Sequence, residues 1–159
     1  MRRKRAGALF LAVASSAAMT ACGSSSPKTV PKAEIIRKGD AMCRNAVKQV
    51  TAAPPTIDPT RATAAQIKGI APFFRQVAAS TQTSVSQIAA LGKPDKDAAL
   101  LERILAGGRT AVADNLAVAN AAQKGDRTAL RAAFAKSQGD SGRKLAKQFG
   151  FKVCAQGGG

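Results

Sequence analysis

Ile67-Lys68-Gly69-Ile70-Ala71-Pro72-Phe73-Phe74-Arg75-Gln76-Val77, continued through Thr81, Val85, Ile88 and Leu91, carries the most regular pattern in this chain. Ile67, Ile70, Phe74, Val77, Thr81, Val85, Ile88 and Leu91 follow one another in steps of three and four. That spacing lines one face of an α-helix and predicts one from about Thr63 to Leu91. Pro72 has no N–H to donate and its ring crowds the preceding turn. It should therefore kink the segment or split it into a short turn and a longer helix. Gly92-Lys93-Pro94 then reads as a stop and turn.

Working outward, three further segments share this period. The first runs from about Lys32 to Ala52, with Ile36, Cys43, Ala46 and Val50 on one stripe, and Pro54-Pro55 ends it. The third starts from Asp95 as a candidate N-cap and reaches Lys124 through Leu101, Ile104, Leu105, Val112, Leu116 and Ala119. Gly107-Gly108 weakens its middle by roughly 1 kcal/mol per glycine relative to alanine. Gly125-Asp126 repeats the stop-and-cap device before a fourth segment marked by Leu130, Phe134, Ser137, Ser141, Leu145 and Phe149. Gly150 suits the left-handed residue after its end, with Phe151 as the accompanying apolar contact. Alanine is abundant and β-branched runs are scarce, which favours helix over strand. Four amphipathic segments joined by short turns predict an all-α fold, an antiparallel up-down-up-down four-helix bundle over residues 32–154.

The amino terminus has a different composition. Arg2-Arg3-Lys4-Arg5 precedes an apolar stretch, Leu9 to Ala18, which runs out into Met19-Thr20-Ala21-Cys22-Gly23. Charge, apolar core and small residues in that order describe a secretory signal peptide, residues 1–21, and the Ala21-Cys22 junction resembles the lipobox of bacterial lipoproteins. The resemblance implies that the Cys22 thiol carries a diacylglycerol and holds the protein on the extracytoplasmic face of the cell membrane. Two other readings stay open. An uncleaved anchor helix would need ~20 apolar residues, more than this stretch offers. Ordinary cleavage after Ala18 would leave Cys22 without a role. Residues 22–31, with Gly23-Ser24-Ser25-Ser26-Pro27, have the composition of a flexible tether, and residues 155–159 of a disordered tail.

With Cys22 lipidated, Cys43 and Cys154 remain, and in an exported protein two such cysteines usually pair. In an up-down-up-down bundle the end of the fourth helix lies beside the start of the first. Cys43 would stand some 16 Å up the first helix at 1.5 Å per residue. The segment Phe151-Lys152-Val153-Cys154 can climb back about 13 Å past Gly150. Two unpaired thiols are the alternative. Taken together, the lipobox, the early Cys43, Pro72, Gly125-Asp126 and the terminal Phe149-Gly150-Phe151-Lys152-Val153-Cys154 resemble a group of small actinobacterial lipoproteins with predicted helical-bundle ectodomains. That resemblance covers most of the mature chain; it supports the bundle and the disulfide, and supplies no catalytic residues.

Function is bounded mostly by exclusion. The chain has 25 Lys and Arg against nine Asp and Glu, with no His, Trp or Tyr. Without histidine there is no Ser-His or Cys-His nucleophile pair and no His-based zinc site, and no cofactor or metal motif stands out. Asp40, Asp114 and Asp140 are the mid-helix acids, each expected to pair with surface Arg or Lys; an enzyme would need two of them to converge in a cleft. Positive charge is the broad hint. Arg37, Lys38, Arg143, Lys144, Lys147 and Lys152 form a candidate collar for anionic lipid or an acidic wall polymer. Nucleic acid is disfavoured, since no aromatics interleave the charges. The polar run Ser80 to Gln87 places Thr81 on the apolar stripe, as Ser137 and Ser141 are on the fourth. Facing one another, they would leave a gap inside the bundle; otherwise they bond back to their own helices. The expectation is a lipid-anchored, non-enzymatic envelope module that binds or braces a partner, whether anionic lipid, an acidic wall polymer or an envelope protein. Its alternative is a carrier or sensor of a small apolar ligand in the bundle core.

Overall fold

The computed structural model describes residues 28–58, 60–137 and 141–156. The signal peptide, Cys22 and Asp140 lie outside those residues. The elements run β1 (Thr29–Val30), α1 (Lys32–Gln49), α2 (Ala64–Gly69), α3 (Ala71–Ala90), β2 (Lys93–Pro94), α4 (Ala98–Lys124), α5 (Arg127–Ser137), α6 (Ser141–Phe149) and a 3-10 turn, Cys154–Gln156. The fold is an all-α helical bundle.

Pro72 splits the second segment as its chemistry requires. It sits in the first turn of α3, where its missing N–H costs no helical bond, and the break falls at Ile70. Thr63 starts α2 with a capping box: Gln66 donates its backbone N–H to the Thr63 hydroxyl and accepts the Thr63 N–H on its own side chain. At the other end of the molecule Gly150 (φ +110°) turns the chain after α6. The Phe151 amide donates to the Ala146 carbonyl and the Gly150 amide to Lys147, closing a Schellman motif.

Two apolar clusters hold the helices together. Ile67, Ile70 and Phe74 pack with Val118, Ala119 and Ala122 of α4 and with Leu130 and Ala133 of α5. Val85 and Ile88 pack with Leu101 and Leu105 of α4, Ile35 of α1, Ala146 and Phe149 of α6, and Phe151. The start of α3 thus meets the end of α4 and its end meets the start of α4, so these neighbours run in opposite directions. The start of α5 meets the end of α4, and the end of α6 meets the start of α4. Ile35 meets the end of α3, while the Thr51 and Ala52 amides just past α1 both donate to Gln76 Oε1 at 2.9 Å, so α1 runs against α3.

Several expectations are corrected. The first helix ends at Gln49, before the prolines, because the Gln76 carbonyl takes the next free amides. Its buried stripe is Ile35, Gly39 and Asp40, one residue off the expected one. The fourth segment is described as two helices, α5 and α6, on either side of residues 138–140. The tether was expected to reach Pro31, yet Thr29–Val30 pairs in parallel with Lys93–Pro94 and Val30 is buried. The tail expected from residue 155 is helical through Gln156. Asp95 does not cap α4, whose start is Asp97 in a left-handed conformation (φ 60°). Instead Asp95 Oδ1 accepts the Lys32 amide at 2.9 Å and caps α1 from across the chain.

The Gly107-Gly108 pair weakens α4 locally but admits its neighbours. A Cβ on Gly108 would lie 2.5 Å from Val85 Cγ2, whereas one on Gly107 would meet only Gly142 Cα at 3.8 Å. The two positions should therefore respond oppositely to alanine. Gly107→Ala is expected to stabilise by up to about 1 kcal/mol through helix propensity. Gly108→Ala should cost about 1–2 kcal/mol net, because overpacking against a stiff β-branched side chain outweighs that gain. Urea unfolding of the two variants checks the signs.

Candidate functional site

Between the two clusters the core is interrupted. There α3 carries Ser80, Thr81 and Ser84, and α4 carries Gly107, Gly108 and Ala111, none of which fills volume. A half-open cleft of about 990 Å³ occupies this level. Cys43, Ala46 and Val47 of α1, with Val50 just past it, form one wall; Lys136 and Ser137 of α5 with Gly142 and Arg143 of α6 form the other; α3 and α4 form the floor. Val47 is 49% exposed although it is a large apolar residue, and it faces this space.

Most of the hydroxyls that line the cleft are spoken for. Ser80 Oγ donates to the Val77 carbonyl at 3.1 Å, Ser84 Oγ to Ser80 at 3.1 Å and Ser137 Oγ to Phe134 at 3.0 Å. Asn115 Nδ2 likewise donates to Ala111 at 2.8 Å. These groups bond back to their own helices, so the floor presents less polarity than its composition suggests. Thr81 and Ser137 both border the cleft, while the Ser141 side chain is not described.

The upper end of the cleft is closed by a clasp. Cys43 and Cys154 are disulfide-bonded with Cα atoms 5.3 Å apart. One turn earlier Asp40, 8% exposed, receives three successive tail amides. Its Oδ1 accepts from Lys152 (3.1 Å), Val153 (2.8 Å) and Cys154 (3.1 Å), and its Oδ2 from Lys152 (2.9 Å). Successive N–H groups converging on one anion form a nest, here closed by the protein's own carboxylate. Phe151 completes the clasp, stacked on Phe149 with centroids 5.1 Å apart. It lies over Gly39, where a Cβ would stand 2.6 Å from its ring.

This arrangement corrects the surface role expected of Asp40. A nearby surface Arg or Lys was the expected partner, but the carboxylate points inward to the tail. Asp114 lines the cleft and Asp40 does not, so the two do not converge. Among the described residues no cluster of His, Cys, Asp and Glu has the makings of a metal site.

The candidate collar is divided. Arg37, Lys144, Lys147 and Lys152 are exposed; Arg143, on the cleft wall, is exposed too but engaged in an interaction of its own. Lys38 is not at liberty: it pairs with Glu34 at 2.6 Å, and this hydrogen-bonded ammonium holds the Glu34 carboxyl below its ordinary range. Lys32 pairs with Asp97 at 2.7 Å and lies over the Phe149 ring at 4.8 Å.

Comparison with known proteins adds no family: no family model, curated protein or solved structure matches this chain.

Proposed function

We propose that this protein is a lipid-anchored, non-enzymatic binding module of the cell envelope, acylated at Cys22, whose cleft receives a small apolar or amphipathic ligand. The cleft carries the reading. At about 990 Å³ it lies at the upper end of the range in which proteins bury small ligands. It interrupts the core of a bundle that the same helices could have closed with larger side chains. Its α1 wall is largely aliphatic, most of its hydroxyls bond back to their own helices, and Lys136 stands on the opposite wall. Such a lining suits an aliphatic chain with an anionic head. The signal-like residues 1–21 and the Ala21-Cys22 junction support the anchor.

The test is displacement of a fluorescent fatty acid, paired with lipid extraction of protein purified from its own membranes. Ala111→Phe places a ring in the cleft and is expected to weaken probe binding at least tenfold with unchanged far-UV circular dichroism. Equal probe binding by this variant, with no lipid recovered from the native protein, would sink the reading.

A further inference from the structure

We infer that the pole of the bundle formed by β1, β2 and the C-terminal end of α6 is a docking surface for an anionic lipid bilayer. The inference rests on the Cys22 anchor and adds an orientation and a lipid requirement to it. The chain joins the bundle at this pole and is fixed as it does so. The Lys93 amide donates to the Lys28 carbonyl at 3.1 Å and the Asp95 amide to the Val30 carbonyl at 3.0 Å. Gly92 (φ +108°) makes the approach feasible, because a Cβ there would sit 2.5 Å from the Lys28 oxygen.

Six residue steps therefore separate Cys22 from the fixed Lys28. Whatever their conformation, six steps span at most ~21 Å. The anchored pole is thus held within about two to three Debye lengths of the acylated residue, taking ~8 Å at physiological salt.

Charge completes the case. Lys28, Arg37, Lys93, Lys96, Lys147 and Lys152 are exposed at this pole, and among the described residues none is in an ion pair. Its acids are partly engaged: Glu34 holds Lys38, Asp97 holds Lys32, and Asp95 takes the Lys32 amide. The opposite pole is basic too, with Lys68, Lys124, Arg127 and Arg131. Charge alone does not choose between them; distance does. The length of α3, 20 residues, puts the far pole ~30 Å away, beyond the reach of screened attraction.

The experiment uses the acylated mature protein reconstituted into vesicles, with a donor dye at Lys96 or at Lys124 and an acceptor on the lipid head groups. In vesicles with about one-third phosphatidylglycerol, transfer from position 96 should be high and fall as salt rises to ~0.5 M. Position 124 should stay low throughout. Lys28→Gln/Lys93→Gln/Lys147→Gln should reduce the docked-to-undocked ratio roughly a hundredfold, about fivefold per cation. Transfer from position 96 that is the same in neutral and anionic vesicles overturns the docking while leaving the anchor intact. So does competition by an acidic wall polymer that binds where anionic vesicles do not. Protein that lacks acyl mass and does not float with vesicles overturns both.

Discussion

Replacing Asp40 by alanine is expected to lower stability by about 2–4 kcal/mol, a melting-temperature loss of roughly 10 °C for a domain of this size. One carboxylate holds three amides, those of Lys152, Val153 and Cys154. Hydrogen bonds to a charged acceptor contribute about 1.5–3 kcal/mol each, but the tail is near the surface and water takes over part of that role. Asp40→Asn should fall between, since it keeps Oδ1 but turns an amide donor toward the Lys152 N–H. Gly39→Ala attacks the same clasp differently, by displacing the Phe151 ring, and should cost a comparable amount. Calorimetry of the three variants decides. An Asp40→Ala protein melting within about 2 °C of the parent would show that the amides do as well with water.

The clasp also marks where the sequence could and could not be read. Periodicity exposed the helices because each must bury one face, and the proline and glycine breaks fell at Ile70, Gly92, Gly125 and Gly150. The Cys43–Cys154 pairing was legible for the same reason: helix direction and rise fix which ends meet. Long-range polar contacts were not. Asp40, Gln76 and Asp95 act on partners 112, 25 and 63 positions away. Asp40 looked satisfied by a nearby surface Arg or Lys, Asp95 by the helix just after it, and nothing singled out Gln76. No period reports a contact made by one side chain with a distant backbone. Gly39 beside Asp40 was the available signal, a glycine inside a helix where nothing local calls for one. The cleft was half legible. Thr81 and Ser137 on apolar stripes pointed to a gap, but its size depends on Gly107, Gly108 and Ala111 across from them. Glycines that weaken a helix in isolation are here the reason two helices can approach.

Removing the disulfide as Cys43→Ser/Cys154→Ser is expected to cost about 4–5 kcal/mol, from the chain entropy regained when a loop of 111 residues is opened. Against a typical total of 5–15 kcal/mol this leaves the bundle marginal, so reduction should lower the denaturation midpoint far more than any single surface substitution. The clasp makes a sharper expectation. Asp40 and Cys154 hold the same tail, so their losses should not add. Once the tail has frayed from the reduced protein, deleting Asp40 removes contacts already lost. The triple variant Asp40→Ala/Cys43→Ser/Cys154→Ser should thus be less destabilised than the sum, by about 1–2 kcal/mol. Additive losses in denaturant unfolding would mean that the carboxylate and the bridge act on separate structures. The cleft supplies an independent reading of the same event, because Phe151, Val153 and Cys154 line it. Fraying the tail widens that end, and fatty-acid probe affinity should fall in the double variant even at temperatures where the helices remain folded.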